Sequence, residues 1–320
     1  MLVKLSIDKL RRLLTGTVAI VCFGMLVSAA PSVQSQTYVY NRQWPSPQAD
    51  GIDLDASGDL VVTSIVDRKI FQYDSHGSLR GEWGSYGTGD GQFLYPSGVA
   101  VDDSGHVYVA DGNAVNISKF TGDGQFLRKW GGPTQFVHPV SLEWHDGILY
   151  VSDEWRVKLF DRDGVFIRQW GSLGSGAGEA GYYTRLCVDP LGYVYVTDLV
   201  HNRVQKFSSS GVFVSQFGDS GSANGQFRSP MGITADGAGN VYVVDRDNRR
   251  IQKFNAVGQF VTAWGSYGIG DGELLFPADV AVAPDGSVFV SDDNRIQVFT
   301  PTGTTATRQT TWGRLKALYQ

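Results

Sequence analysis

The chain has almost no cysteine, two in 320 residues. Cys22 lies in an N-terminal apolar segment, so Cys187 is left alone, which excludes an intrachain disulfide framework and a cysteine-held zinc site. Cys187 sits in RLCVD, in register with small residues of other strand-like runs, and reads as a buried structural thiol. A basic surplus is also missing. Formal net charge is −5, and removing the first 29 residues, which carry Lys4, Lys9, Arg11 and Arg12 against Asp8, leaves 23 basic and 31 acidic groups, or −8. Phosphate backbones are bound by basic stripes, so no nucleic-acid partner is expected. No G-x-S-x-G nucleophile elbow stands between a strand and a helix, and no dinucleotide fingerprint is present. Local motifs therefore give no support for an enzyme, although a site assembled from single residues of several segments would leave no such motif.

What is present is repetition. Residues 232–265, GITADGAGNVYVVDRDNRRIQKFNAVGQFVTAWG, contain four short runs rich in β-branched and aromatic residues (ITAD, NVYVVD, IQKF, QFVTAW) separated by turn material. Equivalent stretches open at Gly51, Gly98, Pro139, Arg185, Gly232 and Asp279, with intervals of 47, 41, 46, 47 and 47. A period of roughly 40–50 residues made of four strands indicates the blade of a β-propeller, whose small sheets must stack to bury their faces. Six copies predict a single all-β domain, a six-bladed β-propeller with four antiparallel strands per blade. The 40 glycines fall at its turns, and 42% apolar residues suffice for a core. Opening strands carry small residues suited to a crowded hub. Fourth strands end in Trp83, Trp130, Trp170, Phe217, Trp264 and Trp312, rings that would fill the wider rim between blades.

GITAD, GNVYVVD and NRRIQKF in the fifth repeat, and CVD, GYVYVTD and HNRVQKF in the fourth, resemble NHL repeats, a family of six-bladed propellers. The resemblance covers essentially everything after residue 36. It implies the propeller fold, while relatives of this kind include enzymes, RNA binders and plain interaction modules. One lyase of the family holds zinc through histidines set directly after the proline that precedes an opening strand. Ser97, Val140, Met231 and Ala278 stand at those places here, so that chemistry is not implied.

Residues 1–12 are basic, 13–30 apolar and uncharged, and small residues follow in SAAPSVQSQ, the layout of an export signal. Residues 1–35 are thus expected to be a signal peptide, cut after Ala29 or Ser35, or an uncleaved membrane anchor, since about 18 apolar residues approach a bilayer span. Residues 36–320 are the propeller. The product would be secreted, periplasmic or on the cell surface, monomeric, and in contact with a membrane only through an uncleaved N-terminus. YVYNRQW at 38–44 and TTATRQTTWG at 304–313 both resemble a fourth strand, which gives the sixth blade two candidates for one place.

Acidic residues recur: Asp55, Asp102, Asp189 and Asp236, with Glu143 assigned to the same register, close the first strand. Asp111, Asp153, Asp198, Asp245 and Asp292 close the second, facing Arg156, Arg203, Arg250 and Arg295 at the start of the third. Residues repeated in most blades read as architecture, fixing turns through backbone N–H groups and ion pairs. The glycine-rich connections at 84–98, 171–185, 218–232 and 265–279 open into strands, unlike a phosphate-binding loop, and lack the alternating ligands of a calcium loop. His76, His106, His145 and His201 fall at polar turn or loop positions. No metal site and no cofactor are expected. Loops at one end of a ring converge on the channel mouth, so the non-repeating Tyr95, His138, Tyr183, Arg185, Arg228 and Asp279, just before or within the opening strands, are the ligand-binding candidates. The function expected is a binding or interaction module for a protein, peptide or glycan. The alternative is a propeller lyase or lactone-type hydrolase with a metal in the central channel.

Overall fold

In the computed structural model, residues 36–302 are described, with the side chains of residues 183 and 184 left aside; the N-terminal leader or anchor, Trp312 and the strand-like 304–313 lie outside them. Six four-stranded antiparallel sheets form. Their first strands are Ala49–Leu54, Pro96–Val101, Pro139–His145, Tyr183–Val188, Pro230–Ala235 and Pro277–Val282, each against the first strand of the next blade, and the sixth against the first. The ring is therefore closed, with opening strands around a central channel. Second strands such as Val107–Asp111 and Val241–Asp245 are buried throughout, because blades cover both of their faces.

Blade six is completed by the N-terminal strand Thr37–Pro45, which pairs with Arg295–Thr302 from Thr37 against Thr302 to Pro45 against Arg295. Of the two candidate outer strands, the N-terminal one fills the place. The rim ring of blade six is accordingly Trp44.

The rim rings pack on the neighbouring blade. Trp44, Trp83, Trp130, Trp170 and Phe217 each lie against the turn glycine joining the third and fourth strands of the following blade, Gly77, Gly124, Gly164, Gly211 and Gly258. Gly164 illustrates why glycine is required: its φ is +76°, and a Cβ there would stand 2.6 Å from the Trp130 ring. Between blades five and six, Trp264 instead stacks on Tyr38 of the N-terminal strand, ring centres 4.2 Å apart. At the hub, a Cβ on Gly98 would come within 2.5 Å of the Val140 carbonyl, so small residues there permit the close approach of opening strands.

Blade three departs from the expected register. Gly51, Arg185 and Asp279 each donate their backbone N–H to a second-strand hydroxyl, on Thr63, Thr197 and Ser291, at 2.8–3.0 Å. The equivalent bond in blade three is Ser141 to Ser152, 3.0 Å, so Ser141 and not Pro139 matches Gly98 and Arg185. Glu143 then aligns with Asp53 and Cys187, two residues short of the turn aspartates. The cause is the turn. In other blades Asp55, Asp102, Asp189 and Asp236 accept the amides two and four residues on, whereas blade three runs its strand to His145 and reverses through Asp146 and Gly147, both at positive φ.

Candidate functional site

Connections between blades and turns between second and third strands emerge at one end of the ring, and the second-strand aspartates organise that end. Buried Asp245 accepts the Arg228 amide (2.7 Å), Arg250 Nε (2.7 Å) and Asn248 Nδ2 (2.8 Å), while Arg250 and Gln252 donate to the Gln226 carbonyl. Asp111 and Asp292 each take two successive loop amides in the same way. This network anchors each loop on its own blade and accounts for the Asp, Arg and Gln of the repeat. Blade three is again a correction: Asp153 pairs with Lys158 at 2.7 Å, and Arg156 lies over the Trp155 ring.

Within the channel, Arg185 is 2% exposed and reaches across the ring. Its Nη2 donates to Asp50 of the opposite blade at 2.8 Å, its Nη1 to the Val140 carbonyl at 2.9 Å, and its Nε lies 3.7 Å from Asp279. Deeper, a water-sized space of about 30 Å³ is lined by Asp53, Ser141, Glu143, Thr234 and Asp279. Each carboxylate there reaches the next blade: Asp53 accepts the Val101 amide (2.8 Å), Asp279 the Ile52 amide (3.2 Å), and Glu143 the Val188 amide. These bonds tie opening strands that no sheet ladder joins. Burial pushes Asp53 up to about 7, against two amide donors, and Asp279 to about 6, against Arg185. Burial, reinforced by Asp53, carries Glu143 well above the usual carboxylate range. Cys187 is buried and, by burial and then by Glu143, held well above an ordinary thiol, which rules against a nucleophile.

At the mouth, Tyr182 Oη and His138 Nδ1 are 3.0 Å apart. Burial, followed by the charge of Glu154, raises Tyr182 to about 12. Burial also raises Tyr95, with Asp50 adding to it and Arg185 and Arg246 opposing. Arg246 donates to Met231 Sδ at 3.3 Å, and among the described residues no carboxylate pairs with it. It borders a cleft of about 310 Å³ with Asp50, Ile65, Phe276, Ala278 and Asp293.

The sequence-derived candidates thus divide. Arg185 and Asp279 meet in the channel, Tyr95 and His138 stand at the mouth, and Arg228 is exposed, held through its backbone by Asp245 and Asp247. Of Tyr183 only the backbone, paired with Asp198, is described. Asp50, Asp53, Glu143, Tyr182 and Arg246 were not anticipated as site residues. Asp53 carried a usable signal, a carboxylate where other blades place Ala100, Cys187, Thr234 and Ala281. Among the described residues no group of three or more His, Cys, Asp or Glu side chains is placed to hold a metal ion. His106 and His201 contact Asp102 and Asp198 at 3.0 and 2.8 Å within their own blades.

The family profile described as NHL repeat matches residues 93–120 and 227–254, the connection and first three strands of blades two and five. Protein brain tumor of Drosophila melanogaster is 30% identical over 138 residues, 42% of this chain and 13% of that protein, so the chain spans a small part of its relative's length. Among solved structures, a virginiamycin B lyase from Staphylococcus aureus superposes with a TM-score of 0.58 at 15% identity, over 83% of this chain and 99% of that one. A gluconolactonase from Xanthomonas campestris gives 0.60 at 14%, over 83% and 90%. At such identities the likeness is one of fold. With its closed ring of sheets and these two matches, the chain is a six-bladed β-propeller that carries NHL repeats in blades two and five.

Proposed function

We propose that the chain is an exported binding module that takes a protein or peptide segment at the mouth of its loop end. The observation that carries this reading is the gathering there of groups that do not repeat from blade to blade. Tyr95, His138, Tyr182 and Arg246 come from four blades, and the Arg246 cleft joins a cation, paired by no carboxylate among the described residues, to the apolar walls of Ile65, Phe276 and Ala278. Binding surfaces commonly join aromatic and arginine anchors in this way. The channel carboxylates, in contrast, serve backbone amides of neighbouring blades. The N-terminal basic and apolar segment supports export, and a secreted, periplasmic or cell-surface location follows from it.

The full chain and an Arg246→Ala/Tyr95→Ala variant, each immobilised, are exposed to a displayed random-peptide library and a glycan array. Peptides enriched by the wild type and retained about tenfold less by the variant are expected. Equal retention by both proteins refutes the assignment of the mouth, and enrichment of saccharides alone replaces peptide by glycan.

A further inference from the structure

Blade three differs from its sisters in the connection that leads into it. The connections into blades four, five and six occupy 171–182, 218–229 and 265–276, whereas that into blade three occupies only 132–138. In the long connections the arginine that opens the third strand is held by loop carbonyls. Arg203 donates to those of Ser175, Gly176 and Glu179 at 2.7–3.0 Å, Arg250 to Ala223 and Gln226 at 2.8–2.9 Å, and Arg295 to Ile269 and Glu273 at 2.7–2.9 Å. A loop glycine also lies on the phenylalanines beside it: a Cβ on Gly178 would touch Phe213 and Phe207 at 3.6 and 3.8 Å.

Blade three keeps the arginine without those carbonyls. Arg156 stacks on Trp155, 5.1 Å to the ring centre, and among the described residues it has no ion pair or hydrogen bond. Lys158 is engaged by Asp153 and the Gln135 carbonyl. Where a sister loop would lie, a cleft of about 400 Å³ opens, bordered by Pro133, Gln135, Val137, Arg156, Phe166 and Gln169. Phe166 is 47% exposed, while its equivalents Phe126, Phe213 and Phe260 are half-buried. Blade one also has a short connection, but its Lys69 is met by Glu82 at 2.6 Å.

We propose that this cleft docks a glycine-containing, acidic segment of a partner polypeptide, laid as the sister blades lay their own loops. Backbone carbonyls three or four residues apart along the segment meet the Arg156 guanidinium, and a glycine takes beside Phe166 the left-handed turn that Gly178, φ +79°, makes beside Phe213. Charge favours the same occupant: among the described residues no carboxylate pairs with Arg156, and sister loops carry Asp90, Glu179, Asp219, Asp271 and Glu273. The cleft shares no residue with that of Arg246, so it goes beyond the mouth site.

The probe is fluorescein-labelled Gly-Ser-Leu-Gly-Ser-Gly-Ala-Gly-Glu-Ala-Gly, the sequence of residues 171–181, titrated with the full chain and read by anisotropy. Saturable binding is expected, weakened about tenfold or more by Arg156→Ala and by Arg156→Lys, whose ammonium lacks the forked donors. Replacing residues 132–138 with the sequence of 218–229 should abolish it, and Arg246→Ala should leave it unchanged. No saturable signal up to about 1 mM, undiminished binding by Arg156→Ala, or undiminished binding by the grafted chain each overturns the proposal. If the graft fails to fold by circular dichroism, Arg156→Lys decides: unchanged binding overturns it. Concentration-dependent dimers of the wild type that the graft dissolves would assign the cleft to a second copy of the chain, overturning the assignment to a foreign segment.

Discussion

The channel carboxylates make stability depend on pH in a direction opposite to ordinary acid denaturation. Asp53 and Asp279 have folded-state values raised from 3.8 to about 7 and about 6, so the folded protein holds these protons more tightly than the unfolded chain. Their contribution is fully present below about pH 3.8 and is lost as pH rises through 6 and 7. At 1.36 kcal/mol per unit, the change reaches about 4 kcal/mol for Asp53 and about 3 kcal/mol for Asp279. These are upper bounds, since the small channel space admits water and the two groups interact. Carboxylates held low by amide donors, such as Asp74 and Asp102, act in the opposite sense, but only at pH below their ordinary range. Denaturant midpoints measured between pH 5 and 8 should therefore fall as pH rises. Asp53→Asn should flatten the fall that runs from pH 5 up to about 7, while losing one of two amide acceptor bonds, to Leu54 or Val101, at a cost of about 1–2 kcal/mol at every pH. A midpoint that is level or rises from pH 5 to 8, or an Asp53→Asn curve as steep as the wild type, would refute the reasoning.

Three further outcomes follow. Gly164→Ala combines a φ of +76° with a Cβ driven into the Trp130 ring and should cost about 2–4 kcal/mol, read as a lowered thermal midpoint with an unchanged fold. Asp245→Ala strips Arg250, Asn248 and a loop amide of their shared acceptor and should cost about 3–5 kcal/mol, with Asp245→Asn recovering part of it in chemical denaturation. Removing residues 36–45 deletes Trp44 and Tyr38 and bares the edge of Arg295–Thr302. Aggregation or a loss of cooperative unfolding is expected, whereas a chain that unfolds like the parent would show that the seam is dispensable.

The architecture was legible because the same residues recur at the same steps: the rim rings, the turn glycines and the second-strand aspartates each repeat for one packing reason. Legibility failed where blade three departs from the others. Pro139 pairs with Asp153 as Pro96, Pro230 and Pro277 pair with Asp111, Asp245 and Asp292, two residues before the position that Gly98 and Asp279 hold, so counting from Pro139 itself placed Glu143 two residues away from its equivalents. Asp153 and Arg156 have the spacing of an ion pair, yet Lys158 takes the aspartate because the loop that holds the arginine elsewhere is short. Asp50, Asp53 and Arg246 become neighbours of the other site residues only through ring closure, which brings distant segments together and leaves no local pattern. The choice between two outer strands for blade six was likewise beyond sequence, since both segments carry the same residue types.

The seam between Thr37–Pro45 and Arg295–Thr302 also fixes an order of events during synthesis. Its two halves are separated by the whole length of the wheel, so the first strand of the wheel to be made must stay without its partner until the last strand of the wheel has followed. Throughout that interval an unsatisfied edge carrying Trp44 and Tyr38 is open to wrong neighbours, and closure is the slowest contact to find because it joins the most distant parts of the chain.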